Sequence, residues 1–424
     1  MTEAAASEPN SDAIEVAENR PASRFGGGTF RSLKYRDFRL LWTSTLFTSA
    51  GQWFQQITVG WLVWELTGNE FLLGSINGFR ALPLLLLAPI GGVAADRVNR
   101  KWLLQSTAIL AFFSSAAMMA IILAGVLQVW HLFAFMLLTG VVWAFNNPVR
   151  QSIVPNLVPK HDLMNALALQ SAGFNITRIL GPALAGLILA NVGRAENFGL
   201  QTLAYVGVFM MVLPMVVPSV TRAATASVGE NLKEGLRYVL SNRTLRTQLM
   251  LAFVPTILAF PYMALMPVFA TDVYGRDAGA FGVMGSAVGV GAVIGTLTLA
   301  SLSNVERRGM VMLAAILLLG IALVAFSQTK SYELGLVFLA VTGAAQMVYL
   351  TTNQTILQII VPDELRGRVM GIYMLSQGMM PLGGLLGGGL AHFTSAPTAV
   401  LILGSLVCFM AVGYMIRAKE LREV

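Results

Sequence analysis

The chain is 424 residues long, 56% hydrophobic and only 12% charged, against about 25% charged in an ordinary soluble domain. A mean hydropathy of +0.69, with 41 Gly and 16 Pro, fits a bundle of transmembrane helices, where both residues are more frequent than in soluble helices, and excludes a soluble enzyme. The net charge of +7 reads as basic loops on one side of a membrane rather than a nucleic-acid surface, and one cysteine (Cys408) with three scattered histidines (His131, His161, His392) leaves no disulfide framework and no metal motif.

Residues 1–37 are polar and carry Glu3, Glu8, Asp12, Glu15 and Glu18 before any apolar run, so they read as a disordered cytoplasmic tail rather than a signal peptide. A helix needs about 20 mostly apolar residues to cross the hydrocarbon core, and twelve such runs follow. The first six fall at residues 40–66, 71–95, 101–127, 130–153, 163–192 and 199–220. The second six fall at residues 249–273, 278–302, 310–326, 334–360, 369–392 and 398–416. The expected architecture is an all-α membrane protein with an N-terminal half over 38–220, a C-terminal half over 248–418 and a short tail over 419–424. Between the halves, residues 221–247 carry Leu232, Leu236, Val239 and Leu240 at helical spacing beside Lys233, Arg237 and Arg243. This stretch reads either as an amphipathic helix on the membrane surface or as a plain linker.

With both termini in the cytoplasm, 23 of the 28 Lys and Arg, Arg150 among them, fall on the cytoplasmic side. Only Arg194, Arg276 and Lys330 fall outside, and Arg80 and Arg178 lie within spans; the positive-inside rule favours this orientation.

On the first span Gln52, Gln55 and Gln56 stand at i, i+3 and i+4, hence on one face that should turn from lipid. In the second, Arg80 lies nine residues past Phe71, roughly 13 Å from the outer end at about 1.5 Å per residue. Arg178 lies near the middle of the fifth. A cation inside a span costs several kcal/mol unless it meets water or a partner, and the sequence offers neither arginine an obvious acid. They either give a central cavity a positive potential suited to anionic or polar-headed molecules, or tie helices together. Polar groups also mark the fourth span (Trp143, Asn146, Asn147), the seventh (Thr256, Tyr262) and the tenth (Gln346, Tyr349, Thr352, Asn353), with interhelical hydrogen bonding as the alternative role. No acid falls mid-span, so Glu65 and Asp272, at the outer ends of spans one and seven, are the carboxylates available for proton coupling.

At an offset of 203 residues, Thr139-Gly140 falls on Thr342-Gly343, Gln151 on Gln354, Ile153 on Ile356, Val158-Pro159 on Val361-Pro362, and Gly181 on Gly384. Two parallel six-helix pseudo-repeats mark transporters whose substrate site lies near the midplane between the halves.

The turn after span two, Gly92-Val-Ala-Ala-Asp96-Arg97-Val-Asn99-Arg100-Lys101, resembles the major facilitator superfamily signature G-x-x-x-D-[RK]-x-G-R-[RK], with Asn99 in place of the usual Gly. Trp143-Ala-Phe-Asn-Asn-Pro148-Val-Arg150-Gln151-Ser-Ile-Val-Pro155-Asn-Leu-Val-Pro159 and Arg178-Ile-Leu-Gly181-Pro182-Ala-Leu-Ala-Gly186 look like the branch containing enterobactin-type siderophore exporters and macrolide efflux proteins. The likeness covers nearly all of the chain after Tyr35. It implies two halves rocking about a cavity lined by spans one, four, seven and ten. Gln52, Gln55, Gln56, Trp143, Asn146, Tyr262, Gln346, Tyr349 and Asn353, with Arg80 and Arg178, are then the expected substrate contacts. It also implies that Gly92, Asp96, Arg97 and Arg100 form a latch that holds the outward-facing state against span eleven. Gly181-Pro182-x-x-Ala-Gly186 is similar to an antiporter motif, incomplete because Thr177 stands where Gly is usual. Its small residues allow close helix approach and Pro182 permits a bend, so Gly181 and Pro182 join the gating set. The implied function is proton-coupled export of a small amphipathic molecule, drug-like or a siderophore, across a bacterial inner membrane. The protein is expected to act as a monomer, with no cofactor. The alternatives are import or flipping of a metabolite or lysophospholipid, and a receptor of the same fold that does not transport.

Overall fold

A computed structural model describes residues 28–217, 228–301 and 307–422; the expected tail lies outside the described residues as far as residue 27. Span one is Arg36–Thr67, span two Glu70–Arg97, span three Arg100–Leu123, span four Val129–Leu157, span five Leu163–Asn191 and span six Arg194–Val212. Span seven starts as Arg243–Val254, passes through π-helical Pro255–Ala259 into Tyr262–Val268, and ends in π-helical Phe269–Val273. Spans eight, nine and ten are Ala278–Ser301, Arg308–Gln328 and Tyr332–Ile360; span eleven comes in two pieces, Asp363–Gly378 and Met380–Phe393; span twelve is Ala396–Arg417. Among the described residues nine helices are long and apolar enough to cross a membrane. The polar-striped span one, the 19-residue span six and the broken span eleven bring the bundle to twelve.

Local chemistry sets where the spans stop. Gly68, at φ 53°, ends span one in the left-handed conformation that a side chain would strain. The Asn69 side chain next door accepts from the Leu72 amide at 3.0 Å and starts span two. Asn99, the departure from the superfamily turn, accepts from the amides of Lys101 (3.0 Å) and Trp102 (3.2 Å). It caps span three at a φ of −58°, a conformation that does not require glycine.

The end of the bundle bearing Arg100, Lys101 and Asp162 is here the basic end, and the opposite one the far end. At the basic end the turn Arg31–Lys34, just before span one, is fastened to the loop between spans four and five. The Asp162 carboxylate, 2% exposed, pairs with Arg31 at 2.9 Å and Lys34 at 3.3 Å and accepts from the Tyr35 hydroxyl at 2.7 Å.

The linker stretch does form a helix, Val228–Ser241. Its Val239 is buried with Leu249, Val361, Val369 and Tyr373 at the base of the C-terminal half, and Glu234 pairs with Arg368 at 2.6 Å. The helix therefore docks on protein, with Leu236 and Leu240 exposed; the Leu232 and Lys233 side chains lie outside the described residues.

The two halves meet along two seams, span five against span eight and span two against the second piece of span eleven. Glycines make both. A Cβ on Gly186 would lie 2.6 Å from the Ala278 carbonyl oxygen, one on Gly289 2.6 Å from that of Arg178, and Gly74 packs on the backbone of Gly384 and Gly388. Helices this close gain van der Waals contact that lipid would otherwise supply. In span two the glycine contacts begin in the first turns, at Gly74 and Gly78, and reach Leu85 in the middle, and in span five they run from the middle toward the last turns, so both seams are tightest toward the far end. Polar bridges cross there too: Trp64 Nε1 donates to Thr271 Oγ1 at 2.8 Å, and His392 Nδ1 lies 3.4 Å from Glu70 Oε2.

Candidate substrate cavities

Two cavities carry Gln52, Gln56, Arg80, Trp143, Asn146 and Asn147 of the polar groups that the sequence singles out. The first lies between the halves and is small, about 40 Å³, room for one or two waters. Trp53 and Gln56 of span one, Asn77 and Arg80 of span two, Met136 of span four, Pro182 of span five, Met263 and Pro267 of span seven and Phe281 of span eight line it. Spans two, five and eight thus contribute alongside one, four and seven, and span ten contributes no wall residue.

The second cavity, about 150 Å³, lies within the N-terminal half toward the basic end, among spans one, three, four, five and six. Thr45, Thr48, Ser49, Gln52, Trp143, Asn146, Asn147, Arg150, Phe174 and Tyr205 line it. Trp143 links the two sites: its ring centroid is 5.4 Å from the Arg80 guanidinium, within cation–π range.

Arg150 is the residue that sequence reasoning missed. The charge count assigns it to the cytoplasmic side, but span four continues to Leu157 through Pro148 and Pro155 and carries it inside, about 10 Å before the helix end at about 1.5 Å per residue. Its Nε donates to Asn146 Oδ1 at 2.7 Å, Nη1 to Ser44 Oγ (2.9 Å) and Thr45 Oγ1 (3.0 Å), and Nη2 to Thr48 Oγ1 (2.9 Å). The signal is present in the spacing: Asn146 and Arg150 stand four apart, and Ser44, Thr45 and Thr48 share one face of span one.

The three glutamines part company. Gln52 lines the second cavity and Gln56 the first, whereas Gln55 is buried and donates to Thr139 Oγ1 at 3.0 Å. In the C-terminal half Tyr262 donates to Gln346 at 3.5 Å, Tyr349 to the Ala252 carbonyl at 3.4 Å, and Gln248 to Asn353 Oδ1 at 3.0 Å. Tyr262, Gln346, Tyr349 and Asn353, all expected contacts, are thus buried between helices and line neither cavity. Arg178 meets Met347 Sδ of span ten at 3.8 Å and has no acidic partner among the described residues; it too lies off both cavities.

Glu65 pairs with Arg194 at the far end, and Asp272 accepts from Thr271 Oγ1 at 2.7 Å; neither faces a cavity. Of the latch, the side chains of Gly92, Asp96 and Arg97 lie outside the described residues. Arg100 is buried and donates to the Ser152 carbonyl at 3.4 Å. A Cβ on Gly181 would lie 2.6 Å from Trp53 Cβ, and Pro182 packs on Gly282 and Gly285 of span eight.

Twelve spans in two six-helix halves, a cavity between them and the Asp96-Arg97-Val-Asn99-Arg100-Lys101 turn define a transporter of the major facilitator superfamily. The sequence profile described as "Transmembrane secretion effector" matches residues 27–424, and the chain belongs to that family. It is 28% identical over 386 residues to the staphyloferrin A transporter of Staphylococcus aureus, covering 90% of this chain and 96% of that one. It is 26% identical over 390 residues to the multidrug efflux pump Tap of Mycolicibacterium fortuitum (88% and 95%). It is 28% identical over 347 residues to the enterobactin exporter EntS of Shigella boydii (76% and 79%). Among solved structures, a peptide transporter, POT, superposes with a TM-score of 0.76 at 11% identity over 97% of this chain and 98% of that one, a likeness of fold alone.

Proposed function

We propose that this protein is a bacterial inner-membrane exporter that moves small amphipathic molecules, drug-like compounds or siderophores, out of the cytoplasm by alternating access coupled to protons. The observation that carries the reading is the distribution of closure: both glycine seams are tightest toward the far end, while the larger polar cavity lies toward the basic end. With the basic end in the cytoplasm, this is an inward-facing state, ready to load. The printed functions of the relatives, a siderophore transporter, a drug efflux pump and a siderophore exporter, support export as the direction.

Transport then requires the seams to part and the basic end to close. At the far end the Trp64–Thr271 and His392–Glu70 contacts break, and at the basic end the Asp96–Arg97–Arg100 turn closes on span eleven. Gln52, Trp143 and Asn146, which line the larger cavity, contact substrate in this state, and Gln56 and Arg80 join them once rocking widens the smaller one. Gln55, Tyr262, Gln346, Tyr349, Asn353 and Arg178 take part where rocking turns them to the cavity. Gly181 and Pro182, packed on spans one and eight, move with the seam. Glu65 and Asp272 are the carboxylates assigned to proton coupling: Asp272 accepts from Thr271, which receives the Trp64 bond between the halves, and Glu65 ties span one to Arg194 of span six.

Counterflow tests the proposal. Purified protein in liposomes preloaded with an unlabelled compound should accumulate the labelled form of the same compound. Saturable binding without exchange would make the protein a receptor and contradict the reading.

A further inference from the structure

We infer that the Arg150 guanidinium is the docking point for a carboxylate of the transported molecule, so that the substrate class is a singly charged amphiphilic carboxylate. The inference rests on the exporter reading and adds to it the chemistry of the cargo.

The charge at Arg150 is uncompensated. Its four hydrogen-bond partners, Asn146, Ser44, Thr45 and Thr48, are neutral, and no acid pairs with it among the described residues. Hydrogen bonds take up four of its five N–H groups and leave one on Nη2, and a cation within a span calls for water or a counter-charge. The cavity of about 150 Å³ beside it has room for one. Trp143, Phe174 and Tyr205 wall that cavity and would receive an apolar body attached to the anion. Arg80 behind Trp143 adds to the positive potential.

The cradle is also organised in advance. The Ser44 and Thr45 hydroxyls donate to the Leu41 carbonyl at 2.8 and 2.9 Å, and Thr48 donates to that of Ser44 at 2.8 Å, which turns their lone pairs to the guanidinium and fixes it. A hydroxyl is both donor and acceptor, so each can swing to donate to an arriving oxyanion.

The pseudo-repeat separates this role from simple helix pairing. At the 203-residue offset Arg150 corresponds to Asn353 and Thr45 to Gln248, and Gln248 donates to Asn353 Oδ1 at 3.0 Å. The C-terminal half joins the same two helices at the same place with a neutral amide pair. The positive charge of the N-terminal half therefore exceeds what joining the helices requires. A planar carboxylate matches the guanidinium in shape and in charge, whereas a phosphate monoester would bring close to two negative charges against one.

The probes are 11-(dansylamino)undecanoic acid and its primary amide, bound to purified full-length protein in nanodiscs at pH 7.5 and followed by dansyl fluorescence. Wild type should bind the acid about tenfold more tightly than the amide. Arg150→Gln should erase that difference, and Arg150→Lys should keep most of it. Dodecanoate should displace the probe better than dodecyl phosphate. Equal affinity of wild type for acid and amide, an undiminished preference in Arg150→Gln or its loss in a folded Arg150→Lys, or stronger displacement by the phosphate would each overturn the inference. The wild-type comparison decides even where Arg150→Gln fails to fold. Counterflow of the amide as efficient as that of the acid would leave the exporter standing without the carboxylate site, whereas binding of either without exchange would remove the exporter.

Discussion

Arg80, Arg150 and Arg178 are three cations that the bundle must hold away from lipid, and each is held differently: by an aromatic face, by a ring of hydroxyls and amides, and by a thioether across the interface between the halves. Because Arg178 gains so little from its protein neighbours, Arg178→Ala should lower transport in whole cells much more than it lowers the amount of protein in the membrane. Equal losses of both would assign it a structural role. Asn99 gives a second test at this scale. A cap lost to Ala costs typically about 1 kcal/mol, but only a few tenths when replaced by Gly. Melting of the purified variants should therefore rank wild type and Asn99→Gly close together, with Asn99→Ala clearly below. At this scale the sequence is a good guide where spacing alone decides and a poor one where depth does. The i, i+3, i+4 glutamines do turn from lipid, yet each faces a different neighbour, because a helix face about 100° wide in a crowded bundle touches more than one helix. Arg150 falls inside the apolar run of span four at 130–153, but the charge count places it with the cytoplasmic cations because it stands three residues from the end of that run; the helix continues to Leu157 and sets it deeper.

The twelve spans are legible because apolar runs of about 20 residues match the thickness of the hydrocarbon core and exceed what a soluble helix normally buries. Their interruptions are less so. Pro255, Pro261 and Pro267 punctuate span seven, and the π-helical segments around them widen the helix where an N–H is missing. Span eleven breaks between Gly378 and Met380, just before Pro381, a place that composition alone reads as continuous. Both interruptions lie in the C-terminal half, and each of these spans supplies a contact across the halves at the far end, Thr271 and His392. In the proposed cycle these far-end contacts separate. In a Cys408→Ser background, Glu70→Cys with His392→Cys should be joined by a short bismethanethiosulfonate cross-linker, which spans the space that the two longer native side chains fill when they approach to 3.4 Å. That cross-link should stop counterflow until reductant is added. Undiminished exchange by the cross-linked protein would show that the seam between spans two and eleven does not open during transport.

For the whole molecule, the 203-residue repeat and the matching hydropathy make the division into two halves visible in the sequence, and the skew of Lys and Arg gives the expected direction of insertion. The state of the transporter is not readable there, because it depends on which end of the bundle is closed. Backbone contacts between glycines bear on that, and they follow from tertiary packing rather than from local pattern. Proton coupling of export would have to run through few acids, since none of them falls in the middle of a span. The most direct test places oriented protein in liposomes, imposes a pH gradient and offers a panel of fluorescent drugs, catecholate siderophores and amphiphilic carboxylates. At least one compound should trigger proton flux, and neutralising Glu65 and Asp272 together should abolish it. Proton flux that no compound changes, in protein shown to be folded and oriented, would contradict proton-coupled export.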